Sequence, residues 1–250
     1  MRLFGLIGHP LEHSFSPGYF REKFQREGIE AQYRLFPLNS IREFPNLITK
    51  YPNLEGLNVT IPYKKQIIPY LDSLDKEAGQ IGAVNTLVFH KKQGVSRISG
   101  YNTDMDGFFH SIEPLLKPYH RHALVLGTGG SAAMVGYALR KLGVDPLFVT
   151  RSTHPPAESI TYSQLTPDEL NYRNVIVNTT PVGMYPHTGE KPTIPYSAVG
   201  PNHLLFDLVY NPTETLFLKE GRKRGAKVEN GYQMLCLQAE KSWQIWNTTT

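Results

Sequence analysis

Cysteine is nearly missing from this chain of 250 residues. Cys236 stands alone, so no intramolecular disulfide can hold the fold, and a reducing compartment is no obstacle to it. Long apolar runs are missing too. Nothing approaches the roughly 20 residues that span a bilayer, and the start, Met1 to Gly8, meets His9-Pro10 too soon for a signal peptide and reads as a first strand. Excess charge of one sign is slight, at +4. The densest basic cluster, Lys219 to Lys227, is interrupted by Glu220 and Gly221, as a solvated helix end would be. Without a basic face interleaved with aromatics, nucleic acid is not an expected partner, whereas a small anionic ligand suits the mild charge. Internal repeats and low-complexity segments are also lacking. The expectation is a cytoplasmic protein with no membrane partner and no metal, a monomer or homodimer.

What is present begins with bulk: 40% hydrophobic and 19% charged residues over this length suit two α/β domains of ordinary size. The most informative stretch runs from Ala123 to Met134. Four apolar residues, Ala123 to Leu126, suffice for one buried strand, which breaks into glycines before helix formers resume at Ala132. Gly127, Thr128, Gly129, Gly130, Ser131 and Ala132 fit the G-x-G-x-x-G/A pattern, whose backbone amides approach a pyrophosphate at the positive end of a helix. A plain strand-to-helix turn would also use glycines, so the context must decide.

Taken in order, Leu3 to Ile7 is a strand, and Ser16-Pro17 opens a helix with a serine cap and a proline at its first position, running to about Gly28. Gln32 to Leu38 is a strand, Ile41 to Thr49 a short helix, and Leu54 to Thr60 a third strand, after which Pro62 starts another short helix. Val84 to His90 and Val95 to Gly100 pair through the turn Lys91 to Gly94. This alternation predicts a mixed, mostly parallel sheet covered by helices. A helical pattern from Asn102-Thr103-Asp104 then leads to the glycine turn. The helix from Ala132 to Leu142 is stopped by Gly143; strands follow at Pro146 to Thr150, Val175 to Asn178 and Leu204 to Val209. Thr153 to Ser159 reads as a loop, and the segment from Thr179 to Pro201 as irregular. Thr215 to Arg224 is a helix, Ala226 to Val228 a strand, and Gly231 to Trp246 a long amphipathic helix. The predicted domains are 1–104 and a Rossmann-type 105–230 with a cleft between them, 231–250 returning to pack on the first.

In an open α/β sheet, ligands lie beyond the carboxyl ends of strands. Ser14 and Ser16, Thr60 with Lys64, Asn85-Thr86, Asn102 with Asp104, and Tyr210-Asn211 all fall at such places. Hydroxyls and carboxamides converging with one amine and one carboxylate suit a small polyhydroxylated acid.

These residues also carry a resemblance. The blocks His13-Ser14-x-Ser16-Pro17, Asn58-Val59-Thr60-x-Pro62-x-Lys64, Gly82-Ala83-Val84-Asn85-Thr86, Gly100-x-Asn102-Thr103-Asp104, the glycine turn, and Gly231-x-x-Met234-Leu235-x-x-Gln238 resemble, in order and spacing, the shikimate dehydrogenase family along nearly the whole chain. The resemblance implies reversible NADP-dependent reduction of 3-dehydroshikimate to shikimate, a step of aromatic amino acid biosynthesis. It implies Lys64 and Asp104 as the catalytic pair, Ser14 and Ser16 on the substrate carboxylate, and Thr60, Asn85, Asp104, Tyr210 and Gln238 on the ring hydroxyls. An amine suits the chemistry, because hydride transfer from an alcohol carbon needs a proton to leave the oxygen. An unperturbed lysine titrates near 10.4, so Lys64 either is depressed by burial to act as a base or acts as an ammonium donor, and the residues do not choose. Plainer roles exist as well: a cap for Ser16 or Asp104, a core position for Tyr210, and a polar helix face for Gln238.

Cofactor preference follows from the end of the second strand of the glycine-turn domain. An NAD site places a carboxylate there, roughly 20 residues past the first glycine, for the ribose hydroxyl. This chain has Thr150-Arg151-Ser152, and a guanidinium suits a 2′-phosphate. The family often adds a second basic residue shortly after, where His154 precedes Pro155-Pro156. The resemblance places Thr180, Met184 and Gly231 beside the nicotinamide half. Pro181-Val182 departs from a usual serine-containing pair, Phe20 stands where histidine is common, and the chain is somewhat short. Alternatives are a quinate/shikimate dehydrogenase preferring NAD, and a dinucleotide-binding regulatory protein without turnover, for which an intact lysine and aspartate would have no use.

Overall fold

The computed structural model describes residues 1–12, 14–92 and 95–248. They form two compact units, one of Met1–Asp106 with Cys236–Thr250 and one of Gly107–Leu235.

In the first unit, β1 (Arg2–Gly8), α1 (Ser16–Glu27), β2 (Ala31–Pro37), α2 (Phe44–Lys50), β3 (Leu54–Val59), β4 (Ser73–Leu74), α3 (Lys76–Ile81), β5 (Thr86–Lys92) and β6 (Val95–Tyr101) build a six-stranded sheet in the order β2-β1-β3-β5-β6-β4. Strands β1, β2 and β3 are mutually parallel, while β5 runs antiparallel to both β3 and β6. Leu3, Phe4, Leu6 and Ile7 are buried on both faces of β1, as a central strand under two layers requires. One layer gathers Ile7, Phe36, Phe44, Leu57 and Leu87. The other is aromatic. Phe4, Phe20, Phe24 and Trp246 pack there, with Phe20 stacked on Tyr33 at 4.6 Å, so the phenylalanine at this position has an apolar partner of its own. α8 (Tyr232–Thr248) supplies Trp246, whose indole donates to the Leu87 carbonyl at 2.9 Å and lies against Gly56, where any Cβ would collide with the ring. The buried Lys23 ammonium reaches Glu240 at 2.8 Å and completes the seam between α1 and α8.

Three local expectations are corrected. The helix expected after Pro62 is a series of turns ending in a 3-10 turn at Ile68–Tyr70. The Lys64 carbonyl accepts the Val84 amide at 2.8 Å, so it is taken by a tertiary bond, and Pro69 offers no amide to a helix. Ser16 is the first helical residue and not the cap: the cap position is Phe15, whose side chain has no polar atom to offer, and the Ser16 side chain turns to the Tyr33 phenol. At α4 (Thr103–Ile112) the capping oxygen is Asn102 Oδ1, 3.1 Å from the Met105 amide, and Asp104 lies inside the first turn. The turn residues Gln93 and Gly94, and His13 of the first block, lie outside the described residues.

In the second unit, β7 (His122–Leu126), α5 (Gly130–Lys141), β8 (Asp145–Thr150), β9 (Ser159–Thr161), α6 (Pro167–Tyr172), β10 (Val175–Asn178), β11 (Leu204–Asp207), α7 (Leu216–Lys223) and β12 (Lys227–Asn230) give a second six-stranded sheet in the order β12-β11-β10-β7-β8-β9. Every neighbouring pair is parallel. Counted within the unit this is the 3-2-1-4-5-6 order of a Rossmann fold, with the switch in strand order between β7 and β10. The short β9 begins inside the stretch read as loop, and α6 is capped by Thr166.

Candidate functional site

One end of the first sheet collects the polar residues. In the strand register Asn58 faces Thr86 and Thr86 faces Tyr101, so the end of β3, the start of β5 and the end of β6 lie side by side. Lys64 stands on the turn after β3 and Asp104 in the first turn of α4, where the positive end of the helix favours a carboxylate. Lys64 Nζ lies 2.6 Å from Asp104 Oδ2, the two side chains being 29% and 16% exposed, so the pair is anchored yet open to a small molecule.

Below it, Asn85 Oδ1 accepts the Thr103 amide at 2.6 Å, and Asn85 Nδ2 donates to the Thr103 hydroxyl at 3.0 Å. Asn102 Nδ2 donates to the Ala83 carbonyl at 2.9 Å. The hydroxyls of Thr86, Thr103 and Ser242, all fully buried, lie within 3.0 Å of one another, and Asn58 Nδ2 donates to Ser242 at 3.0 Å. Tyr33 in turn donates to Asn58 Oδ1 at 2.8 Å, and burial pushes its phenol well above the usual range. Ser14 donates to the Leu11 carbonyl at 2.7 Å in the connection after β1, Thr60 packs on Gly8, and Gln238 is buried on α8. Lys64, Asp104 and Asn85 are thus joined directly or through Thr103. The sequence reading names Thr103 within a block but gives it no role, and passes over Ser242 and Tyr33. Ser242 carried a signal: it lies four residues after Gln238 and so on the same helix face.

In the second unit Gly127 follows β7 with φ at 116°, and a Cβ there would stand 2.8 Å from Thr179 Oγ1. Only glycine fits this cradle. Gly129 precedes α5 without a side-chain cap, and Thr128, Gly129, Gly130 and Ser131 are exposed, which leaves the first amides of a twelve-residue helix open to an anion. Ala132 is buried against the sheet. Thr179, across the switch point, donates to the Leu126 carbonyl at 2.6 Å. Thr180 and the exposed Met184 follow in the same loop; Arg151 is exposed just beyond β8. Gly231 packs on the Leu208 backbone, and Tyr210 is half-buried beyond β11, with burial raising its phenol. The glycine cradle, the open helix start and the guanidinium together fit a phosphorylated dinucleotide. Among the described residues there is no group of three His, Cys, Asp or Glu placed to hold a metal ion, and no helix is long and apolar enough to cross a membrane.

The family model for the shikimate dehydrogenase substrate binding domain matches residues 6–87. Shikimate dehydrogenase (NADP(+)) of Caldanaerobacter subterraneus is 34% identical over 265 residues, covering 98% of this chain and 91% of that protein. The structure of Thermus thermophilus shikimate 5-dehydrogenase in complex with NADP(H) and shikimate superposes with a TM-score of 0.84 at 29% identity, covering 98% of this chain and 93% of that one. Quinate dehydrogenase from Corynebacterium glutamicum in complex with NAD superposes at 0.86 with 27% identity, covering 98% and 93%. By fold, by site geometry and by this identity along nearly its whole length, the chain belongs to the shikimate dehydrogenase family.

Proposed function

We propose that the protein is an NADP-dependent shikimate dehydrogenase, reversibly reducing 3-dehydroshikimate to shikimate, with the Lys64 and Asp104 contact as the observation that carries the reading. Residues 1–104 and 231–250 form the substrate and catalytic domain, and residues 105–230 bind the cofactor. When bound, NADPH would supply a hydride to the carbonyl carbon. As the carbonyl oxygen gains charge, the Lys64 ammonium gives it a proton, which yields the alcohol; in the reverse direction the amine takes that proton back. Asp104 holds the amine in place from the helix start and accepts a ring hydroxyl. Ser14 and Ser16 hold the substrate carboxylate, and Thr60, Asn85 and Gln238 take the remaining hydroxyls. In the second unit the amides of Gly127, Thr128, Gly129, Gly130 and Ser131 would hold the pyrophosphate, Arg151 the 2′-phosphate, and Thr180, Met184 and Gly231 the nicotinamide half. The protein works in the cytoplasm as a monomer or homodimer.

The decisive experiment follows absorbance of NADPH on adding shikimate and NADP at neutral and alkaline pH. Reduction of NADP supports the reading; no signal at either pH overturns it. The likeness to a quinate dehydrogenase holding NAD keeps one second reading in view. Comparing kcat/KM for shikimate and quinate with each cofactor separates the two.

A further inference from the structure

Asp207, the last residue of β11, has a fully buried carboxyl group, and its three hydrogen bonds lead to three different segments at the carboxyl ends of the parallel strands. Oδ1 accepts Asn178 Nδ2 at 2.9 Å and the Val209 amide at 3.0 Å, while Oδ2 accepts the hydroxyl of Thr215, the cap of α7, at 2.6 Å. Asn178, equally buried, passes the constraint on. Its Oδ1 accepts both the amide of Thr180 at 3.1 Å and its hydroxyl at 2.6 Å, and its Nδ2 also reaches the Val182 carbonyl at 3.3 Å. An ionised carboxyl group can only accept. Asn178 must therefore turn its amino group toward Asp207, which leaves its carbonyl oxygen for Thr180.

We propose that Asp207 is a positioning residue for the dinucleotide, acting as a carboxylate through Asn178 to set the 179–184 loop at the switch point of the sheet. The inference rests on the NADP reading above and deepens it by naming what fixes that loop. A neutral asparagine at 207 could keep the same contacts, accepting from Asn178 and Val209 and donating to Thr215, so shape alone does not call for an acid. Charge does, because a charge-assisted bond is roughly twice as strong as a neutral one. Burial pushes the Asp207 carboxyl up to about 6, hence it is ionised at neutral pH and takes up its proton below that value. Among the described residues its charge is felt by the Tyr196 phenol, which Tyr162, Glu220 and Arg224 also influence, the last two paired with each other at 2.6 Å.

The test is calorimetric binding of NADP between pH 5.5 and 8 to the parent and to Asp207→Asn, with shikimate binding measured beside it. At pH 7.5 the variant should bind NADP about threefold to tenfold more weakly, a gap that narrows by about twofold to threefold toward pH 5.5 as the parent carboxylate takes up its proton, since each unit of coupled pKa shift is worth tenfold. The 2′-phosphate also titrates near pH 6 but does so in both proteins and cancels in the ratio. Shikimate affinity should be equal in the two. A ratio that stays constant across pH, or equal NADP affinity at pH 7.5, overturns the proposal. Should the variant fold poorly, the parent with NAD, which lacks the 2′-phosphate, must still lose affinity as pH falls through about 6, and a flat profile overturns the proposal as well. If the parent binds neither dinucleotide at any pH, the NADP reading itself fails.

Discussion

Asn85 Oδ1 meets the Thr103 amide at 2.6 Å, and one residue further on Asp104 receives Lys64 at the same distance. The start of β5 therefore fixes the first turn of α4, and that turn fixes the amine. Three segments far apart in the chain converge on one proton donor.

The first prediction concerns that donor. Lys64→Ala should lower kcat by about two to four orders of magnitude, the usual range for a lost general acid or base. NADP affinity should be nearly unchanged, because the glycine cradle is built wholly from the second unit. Steady-state rates with shikimate, together with calorimetric NADP binding, check both halves; a variant with parental kcat would remove Lys64 from the mechanism.

Stability supplies the second. Trp246 stacks on Phe4 at 4.7 Å, covers Gly56, and donates to Leu87, so its loss opens a cavity and removes a hydrogen bond. Trp246→Ala should cost about 3–5 kcal/mol in urea unfolding. Trp246→Phe, which fills most of the space, should recover a good part of it. Equal midpoints for Trp246→Ala and the parent would show that α8 contributes little to the first unit.

These elements differ in how far the sequence revealed them. The strands of the Rossmann-type domain were legible because β7, β10 and β11 are buried on both faces and read as short apolar runs, although their order in the sheet was not. Strands as short as Ser73–Leu74 and Ser159–Thr161 leave no periodicity to detect. The turns after Pro62 could not be seen because the Val84 amide that captures the Lys64 carbonyl comes from twenty residues away. In the site, the chemistry-bearing residues stood out as polar punctuation at strand ends. Their supports did not: Ser242 sits on a helix and Tyr33 on a strand, and only packing shows that both serve Asn58. Asp207 lies inside the run read as the strand Leu204 to Val209, and only its three donors single it out.

Cofactor choice gives the third prediction. Arg151 is exposed past β8, where a dinucleotide's ribose would reach. Removing a charged hydrogen-bond partner costs about 1.5–3 kcal/mol, or roughly 10- to 100-fold in affinity. Arg151→Ala should raise KM for NADP by that factor and leave KM for NAD little changed, and Arg151→Asp should repel the 2′-phosphate and favour NAD. Parallel losses for both cofactors would mean that Arg151 supports the loop and does not read the phosphate.

Acid sensitivity is the fourth. His120 is buried, its Nδ1 accepting the Lys117 amide at 3.0 Å and its Nε2 donating to the Asn202 carbonyl at 3.1 Å. One nitrogen must be bare and the other protonated, so the ring is neutral, and a second proton would face an N–H that is itself a donor. Burial is the largest cause of a pKa below the usual 6.5, with His203 and Lys117 adding to it. On lowering pH the unfolded chain therefore takes up this proton first, and the stability from His120 is whole above about pH 6.5 and declines below it. Asp207 works in the opposite sense: its raised carboxyl binds a proton in the folded state first, a relative gain that is lost as pH rises from 3.8 toward 6. Thermal unfolding should show Tm falling from pH 7 to 5.5 in the parent, less steeply in His120→Gln and more steeply in Asp207→Asn. Identical slopes in all three proteins would mean that neither buried group sets the response to acid.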